Sequence, residues 1–157
     1  MNKHLLKTQL TPYEADYAQW CTEQGALLRS GDVRSLDREN LAEEIESLVR
    51  SDKREIKSRL NIILIHLLKY EFQPEKRKGG WRATLWEQRR QLAYLLKESP
   101  SLKAFPNKEL GEEYESARYL ASADTELPVN DFPERCPYTI EQVLDQDFLP
   151  GQPPGAE

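Results

Sequence analysis

The amino-acid sequence predicts an all-α protein: a mostly antiparallel bundle of four main helices, one of them very long or kinked, with short C-terminal helices. Three observations carry this expectation. The run from Arg38 to Phe72 reads as one very long helix or two stacked ones, polar at its start and almost wholly apolar at its end. Within it, Leu60, Ile62, Ile63, Leu64, Ile65, Leu67 and Leu68 are broken only by Asn61 and His66, and a helix that is apolar on all sides must be surrounded by protein. Elsewhere, apolar residues recur at helical spacing between capping signals, with no period-2 strand of useful length.

Taken in order, Thr11-Pro12-Tyr13-Glu14 has capping-box spacing with Pro at the first helical position, so a helix is expected to start there. Tyr13, Tyr17, Trp20, Leu27 and Leu28 form its apolar spacing, and Ser30-Gly31 ends it. Asp37 is expected to cap the long run, whose first buried stripe is Leu41, Ile45, Leu48 and Val49 and whose second begins at Ile56 and Leu60. Asp52 falls close to the middle of that stripe, where an unpaired carboxylate is costly. The helix is therefore expected to bend or restart at Ser51, or to pair Asp52 with a cation. Gln73-Pro74 stops the column, Trp81 to Lys97 forms the third helix, and Ser99-Pro100-Ser101 begins a short one. Asn107 is expected to cap a fourth main helix through about Ala123, with Leu110, Tyr114 and Ala117 inward. Thr139 with Gln142 caps a short helix that Phe148 and Leu149 clamp to the bundle. The organisation expected is an N-terminal arm over 1–10, a single domain over 11–149 and a disordered tail over 150–157, rich in Pro and Gly.

Composition narrows the class. The chain has 157 residues and is 31% charged, enough for one core under a strongly solvated exterior. Its longest apolar run falls far short of the ~20 residues that span a bilayer, and no secretion signal is legible in Met1 to Leu10. Cys21 and Cys136 lack metal spacing and suit reduced thiols, so a cytoplasmic location without a membrane partner is expected. The net charge of -5 hides local balances of -1 over residues 1–68, +5 over 69–97 and -9 over 98–157. The acidic third is expected to neutralise the basic middle within the fold.

No metalloprotease helix, di-iron Glu-x-x-His pair, phosphate-binding loop, nucleophile elbow or paired CxxC is present, and no cofactor is expected. Three groups of polar residues remain as candidates. Glu43 and Glu46 share a helical face at a spacing that suits a hard cation with other oxygens, His66 being the further metal candidate; a solvated face is the alternative. Glu44, beside the apolar stripe, needs partners, for which Arg54, Arg59 and Arg89 are expected. On a continuous helix His66 stands roughly 30 Å from Glu46, so the two cannot share a site within that element. His66 is read as a satisfied core histidine or as one member of a site completed by another helix or a second subunit. Lastly, Lys76, Arg77, Lys78, Trp81, Arg82 and Arg90 interleave cations with a tryptophan, as single-stranded nucleic acid binding requires, although Trp81 and Trp86 cannot line one stripe.

Several motifs occur in a fixed order: Asp37-x-x-Asn40-Leu41-Ala42-Glu43-Glu44-Ile45-Glu46, His66-Leu67-Leu68-Lys69-Tyr70, Trp81-Arg82-x-Thr84, Glu87-Gln88-Arg89-Arg90, Ser99-Pro100-Ser101-Leu102, Tyr114-x-x-Ala117-Arg118, Phe132-Pro133-x-x-Cys136-Pro137-Tyr138-Thr139 and Phe148-Leu149-Pro150. Together they resemble a bacterial family catalogued as domain of unknown function 29, over about Thr11 to Pro150. The resemblance implies a small, all-helical bacterial protein with no named activity. It marks Glu44, His66, Lys69, Arg89, Tyr114 and Arg118 as the polar positions to test.

The leading functional expectation is a cytosolic interaction or regulatory protein that self-associates, its partner not legible in the sequence. A competing reading is a metal-assisted hydrolase or nuclease in which His66, Lys69 and Arg89 join carboxylates from Asp37–Glu46 or Glu112–Glu113. Nucleic-acid binding through Lys76–Arg90 is the third.

Overall fold

The computed structural model describes residues 9–151; residues 1–8 of the expected arm and 152–157 of the expected tail lie outside the described residues. The helices are α1 (Tyr17–Ser30), α2 (Arg38–Phe72), α3 (Gly79–Glu98), α4 (Phe105–Thr125) and the short α5 (Ile140–Leu144). No strand occurs among the described residues, as the periodicity predicts. The chain divides into two compact units, Met1–Arg50 and Ser51–Glu157.

In the first unit, α1 pairs antiparallel with the beginning of α2. Trp20 and Gln24 meet Asp37, whereas Tyr17 meets Glu44. The helix starts later than Pro12 predicts. Pro12 to Ala15 closes a turn, the Ala15 N–H donating to the Pro12 carbonyl at 3.0 Å. Asp16, in extended conformation, is the cap and accepts the Gln19 N–H at 2.9 Å. Gly31 ends α1 with φ of 77°, the left-handed conformation that costs glycine least.

α2 runs for 35 residues, about 52 Å, with no restart at Ser51. Continuing a helix adds one hydrogen bond per residue fixed, whereas a new start repeats the unfavourable nucleation step. Asp52 is only half-buried, which leaves the carboxylate solvated and removes the need for a break. The sequence motif for a cap is present but not used.

In the second unit, Ile56, Leu60, Ile63, Leu64, Leu67 and Leu68 of α2 are completely buried. Leu85, Leu92 and Leu95 of α3, Tyr114, Ala117 and Ala121 of α4, and Phe132, Tyr138 and Val143 of the C-terminal arm complete the core. The column is not buried all round, however: Asn61, Ile62, Ile65 and His66 are half-buried. α3 runs antiparallel to α2, with Arg59 donating to Gln88 near one end and the Lys69 amine over the Trp81 ring near the other. α4 runs parallel to α2: Asn61 donates to the Glu113 carbonyl and Gln73 to that of Thr125. α4 begins at Phe105 rather than at Asn107, because Pro106 takes a first-turn position where its missing N–H is not needed.

Side-chain hydrogen bonds fasten the C-terminal arm. Arg89, 2% exposed, donates to three carbonyls, those of Val143 (2.8 Å), Phe148 (3.0 Å) and Gln142 (3.2 Å). Tyr138 donates to Glu71 at 2.5 Å, and Tyr114 to the Pro133 carbonyl at 2.6 Å. Thr139 and Gln142 form the expected capping box of α5. The charge expectation is met in part. Of the basic middle, Lys69 pairs with Asp124 at 3.1 Å; the acidic third also meets Lys57, which lies outside that middle and within 3.6 Å of Glu109, Glu112 and Glu113. No carboxylate pairs with Lys76, Arg77, Lys78 or Arg82 among the described residues.

Candidate functional site

The first unit carries the feature that is hardest to reconcile with a protein acting alone. A helix needs its apolar stripe covered, and α1 supplies one covering element. The covered side of α2 is polar and aromatic. Tyr13, Tyr17 and Trp20 form a cluster, Tyr13 and Trp20 meeting edge to face at 4.9 Å between ring centres. Both tyrosine hydroxyls donate to Glu44, that of Tyr17 at 2.9 Å. The Trp20 indole donates to Asp37 at 3.0 Å, and Asn40 donates to the same oxygen at 2.8 Å. Those bonds, the Asn40 side chain first, hold the Asp37 carboxyl below its ordinary range against the opposing effect of burial.

The stripe read from the sequence as buried is left largely uncovered. Leu41 is half-buried, but Ile45 is 64%, Leu48 66% and Val49 49% exposed. Three neighbouring branched aliphatic residues in solvent on successive turns are a patch, not isolated surface residues. Periodicity locates such a stripe; it carries no signal of what covers it.

Glu44 has the two tyrosines as partners rather than Arg54, Arg59 or Arg89. The hydrogen bonds to Glu44 are the first cause that pushes both hydroxyls from 10.0 up to about 12. Because the folded chain then holds protons that the unfolded chain loses above pH 10, this contribution is full below pH 10 and is lost as pH rises through about 12. Glu44→Gln is expected to return both hydroxyls toward 10 in a spectrophotometric tyrosine titration; unchanged midpoints would refute the assignment.

The remaining candidates are dispersed. Glu43 and Glu46 face Arg50, which bonds Glu43 and lies 4.0 Å from Glu46. No group of three His, Cys, Asp or Glu side chains capable of holding a metal ion occurs among the described residues. His66 Nδ1 lies 2.8 Å from the Ile62 carbonyl; since a carbonyl only accepts, Nδ1 carries the proton. The hydrolase reading needs a carboxylate bonded to this ring, and none of Asp37–Glu46, Glu112 or Glu113 fills that place among the described residues. Burial first, and then Lys69, hold the imidazole below its ordinary 6.5. The ring is therefore neutral in the fold while the unfolded chain protonates near 6.5, so its contribution is full above 6.5 and lost as pH falls below it. An NMR titration is expected to place its midpoint below 6.5.

Arg89, Tyr114 and Arg118 share one office: each donates to a main-chain carbonyl of the C-terminal arm, Arg118 to that of Phe132 at 3.1 Å. Part of the basic stretch is committed within the fold as well. Trp81 is buried beneath the amines of Lys69 and Lys78, at 5.1 and 6.0 Å, and has no free face for a base. Arg77 stacks on Tyr70 at 4.3 Å and donates to its carbonyl. Arg90 binds both oxygens of Glu87 and covers Trp86. Lys76, Lys78 and Arg82 stay exposed.

Cys21 and Cys136 are unpaired thiols. No described helix is long and apolar enough to cross a membrane. The family model described as domain of unknown function DUF29 matches residues 12–149. No curated protein matches, and no solved structure matches.

Proposed function

The chain belongs to the family described as domain of unknown function DUF29, and from that premise we propose that it is a cytosolic protein-interaction module that self-associates through α2. The uncovered stripe of Ile45, Leu48 and Val49 is the observation that supports this reading. Burying such side chains contributes about 1.5–3 kcal/mol each, and a two-fold contact uses every one of them twice.

Charge order along α2 favours a second copy in antiparallel orientation. Residues 38–46 hold Arg38 with Glu39, Glu43, Glu44 and Glu46, a balance of -3, and precede residues 50–54, where Asp52 stands with Arg50, Lys53 and Arg54, a balance of +2. Antiparallel pairing sets acidic beginnings beside basic ends and opposes the helix dipoles, whereas parallel pairing brings like charges together. Such a face, identical on both copies, is self-complementary.

Disulfide trapping tests the orientation. In a Cys21→Ser background, Ile45→Cys chains mixed with Leu48→Cys chains are expected to form the mixed disulfide faster than either symmetric one. Both symmetric disulfides forming faster than the mixed one would indicate parallel pairing, and no intermolecular disulfide would contradict the reading.

A further inference from the structure

Arg118 has a second capacity that the clasp of the arm does not use. Its Nε is occupied by the Phe132 carbonyl, which fixes the plane of the guanidinium. Its two Nη atoms have no hydrogen-bond or ion-pair partner among the described residues. The side chain is half-buried and lines two clefts of about 600 and 480 Å³, each within the ~300–1,000 Å³ of small-molecule sites. Glu134 also lines both. One buried residue lines each cleft, Phe132 (1% exposed) the larger and Tyr114 (2% exposed) the smaller.

The charges around this fork restrict what fits it. A guanidinium edge held in place matches a carboxylate with two parallel hydrogen bonds, and its orientation cost is already met by folding. Asp131 lines the larger cleft, and Glu115 and Arg135 line the smaller one. Three carboxylates thus surround two guanidinium groups, a local balance of -1. None of the three has an ion-pair partner among the described residues. A doubly charged phosphate would meet more repulsion than attraction there, and a lone ammonium would leave the fork unused. We propose that the clefts joined by Arg118 and Glu134 bind a small zwitterion, its carboxylate on the Arg118 Nη atoms and its ammonium against Glu134.

The probes are glycine, 4-aminobutanoate and 6-aminohexanoate, which differ in charge separation, with butanoate and butylamine as half-charged analogues of the second. Chemical-shift perturbation of the Arg118 Nε–H and the Glu134 amide reads binding in the full chain. At least one zwitterion is expected to bind with a Kd of about 1 mM, and the half-charged analogues at least about tenfold more weakly, since each loses one of the two charge-assisted contacts. Glu134→Gln, at an exposed position, is expected to remove that preference over butanoate while leaving the spectrum otherwise native. Equal binding of zwitterion and butanoate, an unchanged preference in Glu134→Gln, or no perturbation by any probe at about ten times that concentration would overturn the proposal.

Discussion

Arg89→Leu is expected to lower the unfolding free energy by about 3–5 kcal/mol, because the buried Val143 carbonyl and the part-buried Phe148 and Gln142 carbonyls lose their common donor and each unsatisfied group costs about 1–3 kcal/mol. For a chain of this length the same change lowers Tm by roughly 10 °C. The guanidinium lies 2% exposed and bonds Val143, Phe148 and Gln142 at once. Burial brings its pKa from 12.5 down to about 10, opposed by the charges of Asp145 and Asp147. It therefore stays charged at neutral pH, where one cation replaces three separate hydrogen-bond donors. Arg89→Lys is expected to recover little, since an ammonium cannot present the flat fork. Chemical denaturation of the two variants checks this. A loss below about 1 kcal/mol, the ordinary scale of one hydrogen bond, would show that the arm is held elsewhere.

The second large effect concerns association, not folding. Leu48→Glu is expected to weaken self-association by at least about 100-fold, since each two-fold contact loses two buried leucines and gains two carboxylates. The same change is expected to alter unfolding of the isolated chain by no more than about 0.5 kcal/mol, as at other exposed helical positions. Leu48 is 66% exposed in the single chain. An affinity loss without a stability loss separates an interface from a core; equal losses of both would place Leu48 in the chain's own core.

That separation also marks the limit of what the residues disclose. The span of α2, Arg38–Phe72, follows from its capping and apolar run, and the Leu60–Leu68 segment supplies five completely buried residues of the second unit, Leu60, Ile63, Leu64, Leu67 and Leu68. The cap of α5 is equally plain, because Thr139 and Gln142 interact within one turn. Local competition misleads at two helix starts. Pro12 and Asp16 both offer a beginning, and Asp16 captures the Gln19 N–H. Asn107 offers a cap, but Pro106 before it suits the first turn of a helix that already begins at Phe105.

Partners distant in sequence were less accessible. That Glu44 needs hydrogen bonds is legible in its place beside an apolar stripe, but Tyr13 and Tyr17 stand a helix away. Arg89 reads as a partner for carboxylates, yet carbonyls bind it, and carbonyls are common to every residue. Leu41, Ile45, Leu48 and Val49 show that an apolar face exists while leaving its cover unspecified. The difference is between a pattern internal to one helix and a fact about its neighbours.

Sedimentation equilibrium over a wide concentration range bears most directly on self-association through α2. For the native chain the weight-average mass is expected to rise with concentration from 18.3 kDa toward twice that value, while Ile45→Glu/Leu48→Glu stays at the single-chain mass throughout. A native mass of 18.3 kDa at every concentration, or a double variant that associates as the native chain does, would contradict it.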